Sequence, residues 1–157
     1  MTSAELVAEC IARSITIATA ESLTAGLVAA SIADVPGCSA VFRGGVVAYA
    51  TDVKGSVLGL SAGDLEHVVS EQVAIELARH ACRLLDADLG ISTTGVAGPD
   101  QLDGQAPGSV WIAVHERMTS RTHARHLTLL GNRAEIRQGA VLAAITLATE
   151  LVSVFET

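Results

Sequence analysis

Aromatic residues are nearly missing from this sequence: two Phe, one Trp and one Tyr make up 3% of its 157 residues. A chain so poor in rings offers no platform on which exposed bases could stack. With ten Lys and Arg against seventeen Asp and Glu, a net charge of −7, it also lacks the basic surface that tracks a phosphate backbone. Nucleic acid is therefore not an expected partner. Cysteine is scarce as well. Cys10, Cys38 and Cys82 are odd in number and far apart, which suits neither a disulfide framework nor a paired-cysteine metal site. No apolar run approaches the ~20 residues that cross a bilayer. The most apolar stretch, Gly139 to Ala148, is interrupted by Thr146, so no membrane partner is expected. The N-terminus carries acids where a secretory signal carries bases, and a cytoplasmic protein is expected. The scarcest charged residue is lysine: Lys54 stands alone beside nine arginines. Arginine cannot give up its proton in a protein, so a lysine kept against that bias suits a role for a neutral amine.

What the sequence does contain is alanine, valine and leucine, spread through a chain that is 50% hydrophobic. Its length suits one domain, residues 1–157, able to bury about two-thirds of its unfolded surface. Periodicity predicts an amphipathic helix over residues 4–13, a short strand over 16–20 and a small-residue helix over 23–33. A strand follows over 40–49, where Gly44 and Gly45 allow a bulge or a close backbone approach. Thr51 is read as the cap of a short helix with Lys54 in its first turn, and Ser70 as the cap of a longer one. Strands are predicted over 88–94, 108–114 and 121–130, the last two as an antiparallel pair. Asn132, with Glu135 three residues on, starts a final helix that runs to about Val154. Its middle is apolar nearly all round, so either the core wraps it or a second subunit covers it; a homo-oligomer, most simply a dimer, is expected. The alternation of helices and strands is that of an α/β fold.

Ser22 falls at the turn between the first strand and the small-residue helix. A hydroxyl there lies beside helix N–H groups without intrahelical partners, which is what an acyl-transfer nucleophile needs; taken alone, a simple helix cap accounts for it as well. Tyr49 at a strand end and Lys54 just beyond it can project towards one rim. The glycine-rich turn from Gly95 to Pro99 is either a phosphate cradle or a plain reversal of the chain. His123 and His126 point to opposite faces of a strand, and no Cys, His and carboxylate group has metal-ligand spacing, so neither metal nor cofactor is expected.

Several motifs in a fixed order resemble one family: Ala20-Glu21-Ser22-Leu23-Thr24-Ala25-Gly26, Gly44-Gly45-Val46-Val47-Ala48-Tyr49 with Lys54, Thr93 to Pro99, Gly108-Ser109-Val110-Trp111, and Gly131-Asn132-Arg133 with Arg137. The chain is similar, over nearly its whole length, to the CinA C-terminal domain family of PncC-type nicotinamide-nucleotide amidases. The resemblance implies a three-layer α/β/α fold with a mixed, mostly parallel sheet of about five strands. It also implies that the amino-terminal domain of full-length CinA proteins is absent. The implied reaction is metal-free hydrolysis of nicotinamide mononucleotide to nicotinate mononucleotide and ammonia. Ser22 is the implied nucleophile, Lys54 the base, and Tyr49 a group that relays or orients the proton. Glu21, Thr24, Gly45, Thr94, Gly95, Gly98, Arg133 and Arg137 are implied around the substrate, with Arg137 and Arg133 on its phosphate or another polar group. The rival expectation is a catalytically silent nucleotide-binding or interaction module of the same fold. The family usually has Gly-Gly where this chain has Ala25-Gly26, and the extra methyl group is expected to narrow the pocket.

Overall fold

The first strand, β1 (Ile17–Glu21), lies between β2 (Phe42–Val47) and β3 (Leu89–Gly95), parallel to both, and β4 (Ser109–Glu116) and β5 (Arg121–Thr128) extend the sheet as an antiparallel hairpin. The order is β2-β1-β3-β4-β5 in a computed structural model that describes residues 1–154. Two pairings are parallel and two antiparallel, while four of the five strands point the same way. The last three residues of the expected domain lie outside the described residues.

Helices cover both faces. On one lie α1 (Ser3–Arg13), α2 (Leu27–Ala33) and α5 (Arg133–Val154); on the other lie α3 (Thr51–Leu58) and α4 (Glu71–Leu85). The alternation within the strands decides which face is thick and which thin. Ile17, Leu89, Ile91, Ile112 and Val114 project into the core under α1, α2 and α5. The opposite face carries Ala18, Ala20, Gly90, Ser92 and Ala113, so that α4 closes tightly on the sheet. A Cβ at Gly90 would lie 2.1 Å from the carbonyl oxygen of Ala78, a contact no side chain tolerates. Such small-residue packing trades bulk for close approach, and it uses the alanine excess of the sequence.

The bulge expected at the paired glycines is present: the β1–β2 register skips Arg43 between Phe42 and Gly44. At Gly45 a Cβ would run into Thr19 Oγ1 and lie 3.2 Å from the Ala29 Cβ, so glycine lets these two side chains pack over the strand. The capping expected at Ser70 and Asn132 is also found. Ser70 Oγ accepts from the Val73 N–H at 3.2 Å, and Asn132 Oδ1 accepts from Ala134 and Glu135 N–H while Glu135 accepts from the Asn132 N–H. Thr51, by contrast, is the first residue of α3 rather than its cap; Ala50 holds the cap position without a side-chain hydrogen bond.

At 22 residues α5 is long and apolar enough to cross a bilayer, yet half of that span is buried inside the fold. Of its middle residues Leu142 is the large apolar side chain left exposed. The core takes up most of the middle of this helix, through Ala140, Val141, Ala144, Ile145, Leu147 and Ala148.

Candidate active site

The chain leaves β1 through α2 to one neighbour and returns to β3, on the other side, through α3 and α4. Where connections depart from adjacent strand ends in opposite directions, a crevice opens beyond their carboxyl ends. Here the crevice is a cavity of about 370 Å³, and Ser22, Tyr49, Lys54, Thr94, Gly98 and Arg133 are among the residues that line it. Side chains more than eighty positions apart in sequence meet there because the carboxyl ends of β1, β2 and β3 share one edge.

Ser22 is not a helix cap. The helix expected from Leu23 begins at Leu27, and residues 23–26 form a turn with Ala25 at φ 51° and Gly26 at φ 94°. The Ser22 N–H donates to the Thr93 carbonyl at 3.0 Å, which ties the end of β1 to β3, and the Ser22 hydroxyl hydrogen-bonds to none of the described residues. The N–H groups of Leu23 and Thr24 are likewise unengaged, so the donors free beside this hydroxyl belong to the turn and not to the helix.

The helix start is filled instead by Glu21. Its carboxylate, 1% exposed, accepts from the N–H groups of Gly26, Val28 and Ala29 at 2.8 to 3.0 Å and from Thr24 Oγ1 at 2.7 Å. A negative charge on the first-turn amides of α2 is the favourable sense of the helix dipole. Thr24 in turn shares a 2.7 Å hydrogen bond with Thr93 Oγ1. Glu21 and Thr24, expected around the substrate, thus form a buried scaffold under the Ser22 turn and do not line the cavity. Gly45 does not line it either. Ala25 is exposed and does not line the cavity, so its methyl group does not narrow it.

Lys54 is the chemical centre of the cavity. It is 1% exposed, no carboxylate of the described residues lies within ion-pair distance, and its Nζ donates to the Tyr49 carbonyl oxygen at 3.0 Å. Burial without a counter-charge penalises the ammonium form and holds its pKa below the usual lysine range. Tyr49 supports the amine through its main chain. Its phenol, on a side chain that is half exposed, accepts from Arg133 Nη2 at 2.7 Å.

Arg133 Nη1 also donates to the Gly98 carbonyl at 2.6 Å, so this guanidinium bridges the Gly95–Pro99 loop and the Tyr49 side of the cavity. Thr94 has its hydroxyl turned to the Val68 carbonyl at 2.6 Å, where it fixes one wall. Gly95 lines the cavity but answers a packing demand: a Cβ would meet the Ser109 carbonyl oxygen at 2.7 Å. Arg137 lies outside the cavity lining. Its Nε and Nη2 donate to the carbonyls of Leu23 and Thr24, each at 2.9 Å, clamping the turn that carries Ser22. The wall contributed by Val68 and Val69 carries no signal in the sequence beyond two apolar residues before a helix cap. They reach the site because Thr94 holds the Val68 carbonyl and Asp103 Oδ2 accepts from the Val69 N–H at 3.3 Å. That second contact also anchors the polar loop after Pro99, which folds back on itself through the Leu102–Gln105 bridge.

The arrangement offers a free hydroxyl, a buried amine, unengaged N–H groups and one arginine at the rim: the parts needed for nucleophilic attack on a carbonyl and for holding an anionic group nearby.

Comparison with known proteins gives a consistent result. Residues 1–152 match the family described as the CinA C-terminal domain. A Levilactobacillus brevis protein named as competence-damage inducible is 43% identical over 145 residues, covering 91% of this chain and 35% of that protein. The chain spans about a third of the length of the curated relatives it matches. Among solved structures, a CinA superfamily protein from Klebsiella pneumoniae has a TM-score of 0.93 at 29% identity, covering 98% of this chain and 96% of that one. A competence damage-inducible protein A from Klebsiella pneumoniae subsp. pneumoniae has a TM-score of 0.92 at 31% identity, covering 99% and 100%.

Proposed function

Because the chain belongs to the CinA C-terminal domain family, we propose that the cavity at the carboxyl ends of β1, β2 and β3 is the active site of an amidase, which hydrolyses the carboxamide of nicotinamide mononucleotide to nicotinate mononucleotide and ammonia by a Ser-Lys mechanism. The observation that carries the reading is Lys54: an amine 1% exposed, without a carboxylate partner, lining the same cavity as an unengaged serine hydroxyl. A structural lysine is normally paired or lets its amine reach water. This one is buried without such a partner among the described residues, and burial lowers its pKa in the direction a general base needs.

In the proposed cycle neutral Lys54 Nζ takes the proton of Ser22 Oγ as the oxygen bonds to the carboxamide carbon. The N–H groups of Leu23 and Thr24 serve the developing oxyanion. Collapse of the tetrahedral species breaks the C–N bond, and the Lys54 ammonium returns the proton to the leaving nitrogen, which departs as ammonia. Water, deprotonated by the same amine, then cleaves the Ser22 ester to release the carboxylate and restore the hydroxyl. Tyr49 orients Lys54 through its carbonyl. Arg133, with the N–H groups of Ala97 and Gly98, holds the substrate phosphate.

The test is ammonia release from nicotinamide mononucleotide, with nucleotide binding measured in parallel. Wild type is expected to do both, and Ser22→Ala to bind without turnover, because alanine removes Oγ but leaves the rest of the cavity in place. Binding by wild type without turnover would leave a silent nucleotide-binding module. Normal turnover by Ser22→Ala would remove the mechanism.

A further inference from the structure

A second cavity, of about 300 Å³, opens between α4 and the end of β4. Arg79, His80 and Arg83 enter it from α4, His115 and Arg117 from β4 and the residue beyond it, and Ser120 from the following turn. Its place is the other end of the sheet from Ser22. Glu116 pairs with Leu89 at the start of β3, whereas the Ser22 N–H meets Thr93 four residues on, so about 13 Å of strand separates those two points.

Three of the nine arginines converge on this hollow in a protein of net charge −7, and no carboxylate lines it. The acids that touch these arginines stand at the margin: Glu76, itself 14% exposed, meets Arg79 at 2.9 Å, and Asp86, 73% exposed, meets Arg117 at 2.5 Å. The exposed Arg117–Asp86 pair contributes little and exchanges readily for a stronger acceptor. Arg83 has no carboxylate partner among the described residues. Its Nη2 meets His80 Nδ1 at 2.7 Å, so that ring nitrogen accepts and His80 is neutral, its other nitrogen lying 3.3 Å from Glu76. Burial, then Arg83, holds His80 below the ordinary imidazole range, and burial holds His115 below it as well. The positive charge of the hollow is therefore carried by guanidinium forks, whose planar donors match tetrahedral oxyanions.

We propose that this cavity is a second binding site, for a small anion bearing a phosphoryl group, separate from the Ser22 cavity and independent of the amidase reading. Arg83 is its principal ligand, exchanging a neutral imidazole nitrogen for a charged oxygen, and Arg79 and Arg117 close on the anion from either side. The size, near the lower end of ligand pockets, admits a phosphate with a sugar-sized group attached. Gly59, which ends α3, packs against this pair: a Cβ there would lie 3.2 Å from Arg83 Nη2 and 3.8 Å from His80 Cε1. Its backbone amide is a natural reporter of Arg83 moving.

The experiment follows backbone amide shifts of the full chain during titration with inorganic phosphate, pyrophosphate and ribose 5-phosphate, at constant ionic strength held by sodium chloride. Saturable shifts at Gly59, Arg83 and Ser120 are expected with at least one of the three, and the three curves separate a site for free phosphate from one for a sugar phosphate. Arg83→Gln combined with Arg117→Gln should weaken that binding about tenfold or more while the shifts around Ser22 and Gly98 stay as in wild type. Both side chains are exposed, so the fold should survive, and an otherwise unchanged spectrum verifies it. Shifts that are linear with concentration, that sodium chloride alone reproduces, that are confined to the Ser22 cavity, or that persist undiminished in the double variant would each overturn the proposal.

Discussion

Replacing Glu21 by alanine tests whether this carboxylate is a scaffold or a substrate ligand. In the folded protein it accepts three backbone N–H groups, from Gly26, Val28 and Ala29, and the Thr24 hydroxyl, with no ion-pair partner among the described residues. Alanine leaves the three backbone donors unpartnered, while the Thr24 hydroxyl keeps Thr93 Oγ1. Each buried, unsatisfied donor costs about 1–3 kcal/mol. Water can reach part of this turn, because Gly26 and Ala29 are only half buried, so the low end applies and the three together cost about 3 kcal/mol. Against a domain stability of about 5–15 kcal/mol that is a large fraction. In urea, with a slope of about 2 kcal/mol/M, the midpoint should fall by about 1.5 M with the slope unchanged. Glu21→Gln, which keeps one acceptor oxygen and turns an amide N–H₂ towards backbone donors, should fall between the two. The assay is equilibrium urea unfolding followed by far-ultraviolet circular dichroism. A loss below about 1 kcal/mol in Glu21→Ala would show that the carboxylate does not hold this turn, and the reasoning that removed it from the substrate would fail.

Lys54→Met should unfold at higher urea than wild type near neutral pH, because it removes a buried amine with no counter-charge. The unfolded chain binds the Lys54 proton more tightly than the folded one, so wild-type stability rises with pH between the lowered folded pKa and the ordinary lysine range; the gap between the variants should narrow over that window, and a pH-independent gap would contradict the burial argument. In turnover, Lys54→Arg should be as inactive as Lys54→Met by ammonia release, since arginine keeps the charge but cannot act as the base. Arg137→Gln should lower kcat more than it raises KM, and Arg133→Gln should do the reverse, since Arg137 clamps the Ser22 turn while Arg133 lines the cavity; steady-state kinetics in which Arg137→Gln raises KM alone would return Arg137 to the substrate. Ala25→Gly should stabilise by about 1 kcal/mol at most, relieving a left-handed alanine at φ 51°, and raise Tm by about 2–4 °C in differential scanning calorimetry; a fall in Tm would show that the turn carries no such strain.

Sequence alone was enough for those features that local chemistry controls. The order of helices and strands follows from periodicity, the caps at Ser70 and Asn132 from side-chain oxygens placed ahead of apolar runs, and the bulge from paired glycines. The nearness of Tyr49 and Lys54 was legible from their places at and just beyond a strand end, and Ser22 was joined to them by the family resemblance. Tertiary structure decided how the polar groups are used. Glu21 lies in the same motif as Ser22, yet the alternation of β1 turns its carboxylate into the core against the amides of α2. The helix could not begin at Leu23, because the turn through Ala25 and Gly26 brings those amides round to the carboxylate. Two arginines one helical turn apart on α5 take opposite duties, Arg133 bridging the cavity rim and Arg137 gripping the turn behind it, since four residues along a helix shift a side chain by about 6 Å along its axis. Nor can spacing in the sequence show that a lysine is buried without a counter-charge. That property belongs to the dielectric and to the neighbours, which exist only once distant strands have assembled, and it is the property on which the proposed chemistry depends.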